Sequence, residues 1–250
     1  QVLETRFICG DEKVRRIVNE YLIYGGLPLS YLAVTQDEKL RQVRQTVERG
    51  FEVISRENSA AREKIQIELA RQQSQEFAYQ GILRKTRLTR REPVNQVIDH
   101  LMNHGYLCKR QPMFLDGDRK TYLSIFSYVD PGIVTYLSGE EKPDAAALGH
   151  RVEGLIHSRL DQWVKNGLLK QELGYFKPYT LDVNGKVKYH KGEIDFILTR
   201  GRRVLPIEVK LDDQINALDT SALEDFLAQH PQVQFGVVFY GGSPYRDPQK

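Results

Sequence analysis

Two short segments in the last quarter of the chain carry the residues best suited to reaction chemistry. One, at 192–195, reads Gly-Glu-Ile-Asp, and the other, at 206–210, reads Pro-Ile-Glu-Val-Lys. The apolar residues and the Arg-Gly-Arg-Arg turn between them predict a pair of adjacent strands. Because side chains alternate across a strand, the two acids of the first segment share one face, as do the acid and the lysine of the second. The pair therefore brings carboxylates and an ammonium group to one place.

This grouping suits a divalent cation with a lysine beside it. Mg²⁺, or Mn²⁺ in its place, prefers oxygen ligands, which the carboxylates of Asp195 and Glu208 and the backbone carbonyl of Val209 supply. A metal bound there lowers the pKa of a coordinated water and neutralises charge that develops on a scissile phosphate. Lys210 is placed to orient that water or to stabilise the pentacovalent phosphate. The competing interpretation of a Glu-x-Lys strand is an exposed face with a surface salt bridge.

Three further side chains are weaker candidates for the same site. Glu193 shares a face with Asp195 and is an expected outer-shell ligand of the metal. Gln214 and His190 are candidates for phosphate contact.

Hydrophobic periodicity predicts the elements that must hold these segments. Helices are predicted at 11–24, 30–55, from 58 or 59 to about 77, 89–103, 145–166 and 217–229. Further strands are predicted at 106–115, 120–129, 173–179 and 233–240, with turns at 116–118 and 184–185. A loop is expected at 131–144, where Pro-Gly and Ser-Gly pairs precede a charged stretch. This arrangement predicts an α/β fold with a mixed central sheet in its C-terminal part.

The order helix, helix and β-hairpin in the middle of the chain is typical of a winged helix. Thr89 and Glu92 have the spacing of a capping box, and Pro93 is tolerated in a first helical turn. We therefore expect a capped helix to begin at Thr89. In a winged helix this is the recognition helix, and the hairpin is the wing. The alternative is a small helical connector domain that does not contact DNA.

A run of cations lies just before and at the start of that helix. Residues 84–91 read Arg-Lys-Thr-Arg-Leu-Thr-Arg-Arg, with no acid among them. Such a run predicts a surface that faces phosphates, and the alternative is a solvated face. The residues predicted to contact nucleic acid, with DNA as the favoured class, are Arg84, Lys85, Arg87, Arg90 and Arg91.

The composition is that of a water-soluble protein, with 40% hydrophobic and 28% charged residues and a net charge of +3. No apolar run approaches the roughly 18 residues that span a bilayer, and no secretory signal is visible, so no membrane partner is expected. Cys9 and Cys108 form no CxxC pair, which favours a reducing, cytoplasmic compartment. The chain begins with Gln1 instead of Met, so we expect a fragment of a longer polypeptide or a processed chain.

The order helix, strand with Asp, then strand with Glu-x-Lys resembles the PD-(D/E)XK nuclease core. In that superfamily an acid on the first helix, an Asp at the start of the second strand and a Glu-x-Lys on the third strand form the site. The resemblance assigns these positions to Glu153, Asp195, Glu208 and Lys210, and it implies that Glu153 binds a second metal or holds a metal-bound water. Ile194 stands where the named motif has Pro, a position at which many members of the superfamily differ.

A second resemblance covers almost the whole chain. The segments at 20–28, 128–133, 192–196 and 207–210 occur in the order found in the C-terminal half of prokaryotic AAA-type ATP-binding proteins. In those proteins an ATPase core precedes a winged helix and a nuclease-like domain of unknown function. The resemblance implies an ATPase core as a partner that this chain lacks, and no Gly-rich loop ending in Lys-Ser or Lys-Thr predicts an ATP site here. The predicted domains are a tail or lid of the ATPase at 1–57, a winged helix at 58–140 and a restriction-endonuclease-like domain at 141–250.

Three functional hypotheses from different classes follow. The first is a Mg²⁺-dependent DNA endonuclease module tethered by a winged helix. The second is a catalytically inactive module that binds DNA or a protein and regulates the attached ATPase. The third is a structural role, in which the α/β domain is an oligomerisation or partner surface. Metal-dependent cleavage separates the first from the others, and salt-sensitive DNA binding separates the second from the third.

Overall fold

The computed structural model describes residues 12–52, 59–113, 123–181, 187–189, 192–212 and 214–242. The predicted turns at 116–118 and 184–185 lie outside these residues, as does the candidate His190. Among the helices of the described residues, none combines the length and the apolar character that a membrane span requires.

The described elements are mostly helical in the first half of the chain and mixed in the second. The helices are α1 (Glu12–Tyr24), α2 (Pro28–Leu32), α3 (Gln36–Glu52), α4 (Ser59–Arg71), α5 (Tyr79–Thr86), α6 (Glu92–Asn103), α7 (Pro131–Ser138), α8 (Ala145–Lys165) and α9 (Ala217–Gln229). The strands are β1 (Leu107–Pro112), β2 (Ile125–Tyr128), β3 (Glu172–Phe176), β4 (Tyr179–Leu181), β5 (Val187–Tyr189), β6 (Ile194–Arg200), β7 (Arg203–Val209) and β8 (Val237–Phe239).

The chain forms two compact units. The helical unit comprises the described residues within Asn19–Gln111 and Thr121–Gln162. The sheet unit comprises those within Gln1–Val18, Pro112–Lys120 and Trp163–Lys250. The domain boundary predicted at 140/141 thus falls inside the helical unit, between α7 and α8.

Apolar faces of five helices and the β1–β2 hairpin form the core of the helical unit. The periodicity of α6 explains its part in this core, because four apolar residues at helical spacing give one continuous stripe. These buried residues are Val94, Val97, Ile98 and Leu101. The helix predicted at 89–103 is confirmed from Glu92 onward.

The β1–β2 hairpin of the helical unit has a short third partner. β1 and β2 pair antiparallel, with Leu107 opposite Tyr128. Between α4 and α5, Glu76 forms an isolated antiparallel bridge to Ile125 of β2. Backbone hydrogen bonds of 3.1 and 2.9 Å from Ser74 and Phe77 hold this segment beside β2. The order of elements is therefore helix, bridge, helix, helix and hairpin.

Asp130 ties the turn after α1 to the start of α7. Its Oδ1 accepts the N–H of Gly132 at 2.8 Å and caps α7, while its Oδ2 accepts the N–H of Gly26 at 2.8 Å. Gly25 has a φ of +73°, and a Cβ there would lie 1.8 Å from Asp130 Oδ1. Only glycine fits this position, because it accepts a left-handed φ and leaves room for the carboxylate.

Arg151 of α8 also binds the end of α1 and a residue of α7. Its side chain is 1% exposed, and its Nη1 donates to the carbonyl of Leu22 at 3.1 Å and to Thr135 Oγ1 at 2.9 Å. A buried guanidinium requires such partners, because each unmet donor costs the free energy of its lost hydration. The end of α1 is therefore held by residues that come more than 100 positions later.

Three predicted helices begin or end differently in the structure. The helix predicted to run to about 77 ends at Arg71. The single helix predicted at 30–55 is split into α2 and α3, because Ala33 is extended and Thr35 Oγ1 accepts the N–H of Glu38 at 3.2 Å as a new helix start. The capping box predicted at Thr89 is wrong. α6 begins at Glu92 with no side-chain cap, and its first turn contains Pro93, which lacks the N–H that a position further inside a helix would require.

The loop predicted at 131–144 is wrong over its first part, where the chain forms α7. Asp130 caps this helix, Pro131 occupies its first turn, and Gly139 ends it with a φ of +71°. A capping acid, an early Pro and a terminal Gly are ordinary helix signals. The Pro-Gly pair at 131–132 favours a turn, and the prediction gave it more weight than these helix signals.

The sheet unit contains a mixed sheet in the order β3-β6-β7-β8. β3, β6 and β7 pair antiparallel, whereas β8 pairs parallel to β7. α9 packs against β7 and places Leu223 and Phe226 in a buried cluster with Ile194 and Ile197 of β6. The predicted α/β class with a mixed sheet is confirmed.

Candidate functional site

The β6–β7 pair carries the predicted acids and lysine on neighbouring strands. Phe196 lies opposite Ile207, and the same antiparallel register continued by one position sets Asp195 opposite Glu208. Directly opposed side chains of such a pair project from the same face. Ile194, on the other face, is completely buried in the core. The structure therefore brings the two carboxylates together.

Asp195 also fastens the two strands. Its Oδ2 accepts the backbone N–H of Val209 at 2.8 Å. On the far side of β7, the N–H of Lys210 donates to the carbonyl of Phe239 at 2.8 Å. The end of β7 is thus held from both neighbouring strands, which fixes where the Glu208 and Lys210 side chains begin.

Glu208 is the buried member of the site. Its side chain is 2% exposed, and its Oε2 lies 3.3 Å from Nζ of Lys210. Its Oε1 is buried and has no hydrogen-bond partner among the described residues. Burial and the nearby negative charge of Asp195 raise the pKa of Glu208 from 4.5 to about 8, against the opposite effect of Lys210. No donor group of the described residues therefore reaches this oxygen, and the protonated form of Glu208 can hydrogen-bond to Asp195.

Lys210 remains positively charged in these surroundings. Burial alone lowers the pKa of its ammonium group, but the neighbouring carboxylates of Glu208, Asp195 and Asp219 outweigh it and raise the pKa. The side chain is 30% exposed, so part of it reaches solvent. A cation that is both anchored and accessible can contact an anionic substrate.

The site fits a divalent cation on its own chemistry. Two adjacent carboxylates share a single lysine, and an unpartnered buried oxygen is expensive unless it is protonated or bound to a cation. Within the part of the chain that the structure describes, no three His, Cys, Asp or Glu side chains form a metal-binding group. The two carboxylates that the structure brings together are those of Asp195 and Glu208, and the carbonyl of Val209 as a third ligand stays a prediction.

Comparison with protein families places this site inside a recognised segment. Residues 148–246 match the family described as "Domain of unknown function (DUF4143)". The match covers fewer than half of the 250 residues and includes β3 to β8. Neither the curated proteins nor the solved structures contain a significant match to the chain. The description of the DUF4143 family names no activity.

Glu153 lies in the DUF4143 segment on α8, within the helical unit. Its Oε2 is 3.8 Å from Nη2 of Arg110, and its Oε1 is 3.8 Å from Nδ1 of His150. The Arg110 side chain is 1% exposed, and a guanidinium buried so deeply needs a counter-charge. Glu153 therefore has a clear electrostatic task in its own unit, and its role as a metal ligand stays a prediction.

The other predicted candidates differ in their surroundings. Glu193 precedes β6, and its Oε2 lies 3.7 Å from Nζ of Lys177. Gln214 is exposed after β7. Neither observation gives these residues a direct place beside Glu208.

All five cations predicted to contact nucleic acid are exposed. Arg84 and Lys85 occupy the last turn of α5, and Arg87 ends that helix with a φ of +59°. Lys85 Nζ pairs with Glu68 Oε2 at 2.5 Å. Arg90 lies between α5 and α6, and Arg91 stands directly before α6. The helical unit thus presents a basic surface at the end of α5 and the start of α6.

Sequence reasoning missed Asp219, whose charge reaches Lys210. Its Oδ2 accepts the N–H of Asn216 at 2.9 Å, and its own N–H donates to Asn216 Oδ1 at 3.3 Å. This reciprocal pair caps α9, and its signal was the spacing of Asn and Asp three residues apart. The cap fixes the carboxylate whose negative charge supports the positive charge of Lys210.

Proposed function

We propose that the sheet unit is a PD-(D/E)XK-type nuclease module that hydrolyses phosphodiester bonds in nucleic acid with Mg²⁺ or Mn²⁺. The observation that carries this proposal is the unpartnered, buried Oε1 of Glu208 beside Asp195 and Lys210. An exposed Glu-x-Lys face with a surface salt bridge would leave no such oxygen, because water would reach both oxygens of the acid. The DUF4143 description neither supports nor opposes this activity.

The chain's own residues have separable tasks in this proposal. Asp195 and Glu208 hold the metal, which when bound lowers the pKa of a water and neutralises charge on the phosphate. The hydrogen bond from Val209 keeps Asp195 in place before a substrate arrives. Lys210 contacts the scissile phosphate or its attacking water, and the carboxylates around it keep it protonated.

We further propose that the helical unit contains a DNA-binding winged helix. The order α4, bridge at Glu76, α5, α6, β1 and β2 supports this, since it is the order of three helices with a small sheet and a wing. The exposed cations at the end of α5 and the start of α6 supply the positive surface that a phosphate backbone requires.

Calorimetry with Mn²⁺ and cleavage of plasmid DNA test the nuclease proposal. Wild type should bind Mn²⁺ and cut DNA, and Asp195→Asn, Glu208→Gln and Lys210→Met should each remove cleavage. Glu172→Gln is the matched control, because Glu172 is an exposed acid at the start of β3 in the same sheet unit. Mn²⁺ binding that survives both Asp195→Asn and Glu208→Gln would exclude this site.

A catalytically inactive module that binds DNA or a protein and regulates an AAA-type ATPase is the second candidate. It is favoured by the pairing of Glu153 with Arg110, which gives the predicted helix acid another task. It predicts salt-sensitive DNA binding without metal binding. Joining the chain to its ATPase core and measuring ATP hydrolysis with and without DNA would test the regulatory part.

A further inference from the structure

The exposed face of α6 lacks the charges that a helix inserted among phosphates usually carries. Its exposed residues are Glu92, Asn95, Gln96, Asp99 and Asn103. None is a cation, and two are acids. Glu92 lies in the first turn, where it complements the helix dipole and repels an approaching anion. The amide of Asn95 is already engaged, since its Oδ1 accepts the hydroxyl of Tyr79 at 2.6 Å.

The cations before α6 fall into two groups. Lys85 is bound to Glu68, whose side chain is 8% exposed, and the guanidinium of Arg91 lies 5.0 Å from the ring centroid of Tyr79. Both are occupied within the protein. Arg84, Arg87 and Arg90 are exposed, and no ion pair involves them among the residues that the structure describes. These three guanidinium groups form what we call the arginine triplet.

Arg87 occupies a backbone conformation that ordinarily belongs to glycine. With a φ of +59°, it is one of two non-glycine residues with positive φ in the described ranges. An L-residue in this region costs free energy that glycine avoids. Strained positions of this kind are concentrated at binding and catalytic sites. Arg87 ends α5 in this conformation and keeps its side chain exposed.

We propose that duplex nucleic acid binds the helical unit through its phosphates at the arginine triplet, independently of sequence, and not through base contacts from α6. This inference rests on the nucleic-acid part of the proposed function and specifies its mode. Guanidinium groups pair with phosphate oxygens in a bidentate manner and carry no base information. The acids on α6 oppose entry of that helix into a groove lined by phosphates on both sides.

Fluorescence anisotropy of the full chain with two duplexes of unrelated sequence, at several salt concentrations, tests this mode. We expect equal affinity for both duplexes. The variant Arg84→Gln/Arg87→Gln/Arg90→Gln should weaken binding about tenfold or more and reduce the slope of log K against log salt by about 2.7. The variant Asn95→Ala/Gln96→Ala should bind within about twofold of wild type, as expected for residues that make no base contact.

A charge-matched control separates site binding from general attraction. Lys142→Gln/Lys165→Gln/Lys170→Gln removes the same charge from exposed positions elsewhere and should leave affinity nearly unchanged. A sequence preference that Asn95→Ala/Gln96→Ala abolishes would overturn the phosphate mode but leave the proposed function intact. Absence of duplex binding at low salt would overturn both, whereas binding without cleavage would affect only the nuclease proposal.

Discussion

Oδ2 of Asp195 accepts the backbone N–H of Val209 at 2.8 Å, so one carboxylate both fastens β6 to β7 and faces Glu208. This double task separates two substitutions. Asp195→Asn keeps an oxygen acceptor for the N–H, whereas Asp195→Ala removes it. Both variants should therefore bind Mn²⁺ more weakly, but they should differ in unfolding free energy.

Asp195→Asn should lower Mn²⁺ affinity by about tenfold or more with little change in unfolding free energy, because it removes the negative charge and keeps the hydrogen bond. Asp195→Ala should also lose about 1–2 kcal/mol of stability through the unpaired N–H of Val209. Calorimetry and urea denaturation measure the two effects. Equal stability of the two variants would show that the strand fastening does not depend on this bond.

The raised pKa of Glu208 predicts a pH-dependent stability in the absence of metal. Its carboxyl releases its proton at about 8 in the folded state and near 4.5 when unfolded, so the unfolded state binds fewer protons between these values. Stability from this group is full at low pH and is lost as pH rises from 4.5 towards 8. The contribution of Glu208 is the difference in unfolding free energy between wild type and Glu208→Gln, measured by denaturation at several pH values. Parallel pH profiles of the two proteins would contradict the prediction.

Glu153→Gln should destabilise the helical unit by about 1–3 kcal/mol, because it removes a negative charge that lies 3.8 Å from the buried guanidinium of Arg110. The exposed acid Glu63 of the same unit provides the control Glu63→Gln, with an expected change within about 0.5 kcal/mol. Thermal unfolding measures both. If Glu153→Gln instead left stability unchanged and reduced Mn²⁺ affinity, Glu153 would belong to the metal site.

Gly25→Ala should be far more harmful than Gly139→Ala. Both glycines have nearly the same φ, +73° and +71°, but a Cβ at Gly25 meets Asp130 at 1.8 Å whereas one at Gly139 has nothing within 4 Å. We expect a loss of about 1 kcal/mol at Gly139 and of about 2–4 kcal/mol at Gly25. Chemical denaturation of both variants measures the difference. Equal losses of stability would show that the contact with Asp130 does not restrict position 25.

Arg87→Gly should weaken duplex binding without lowering the stability of the fold. Relief of the left-handed strain should leave the unfolding free energy unchanged or higher by up to about 1 kcal/mol. Loss of one phosphate contact should weaken duplex binding about fivefold. Arg87→Ala is the matched variant, with the same loss of affinity and no gain in stability. A stabilised Arg87→Gly variant that binds as wild type would remove Arg87 from the arginine triplet.

The strand pair of the candidate site was predictable because its signals are local. Alternation of apolar and charged residues around 192–210, with a short basic turn, determines both strands and the face that Asp195 and Glu208 share. The burial of Glu208 was not predictable in the same way. It depends on β8 and α9 packing around β7, and these contacts join residues distant in the sequence.

The helix ends show where local signals compete. Pro131 and Gly132 indicate a loop when taken as a pair, although Asp130 and Pro131 together begin α7. Thr89 had the spacing of a cap, yet Pro93 restricts the helix start and α6 begins at Glu92. Such choices are settled by tertiary contacts, such as the bond between Asp130 and Gly26, that no short window contains.

The hydrogen bonds from Arg151 and Asp130 to the end of α1 and the turn after it also constrain the order of folding during synthesis on the ribosome. Leu22 and Gly26 receive their partners from Arg151 and Asp130, which are 129 and 104 positions later. The end of α1 is made early and stays undocked while α3 to α6 emerge and can begin to pack. Nascent chains that stop before Arg151 should therefore expose this segment to proteases and chaperones, and those that extend past it should protect it.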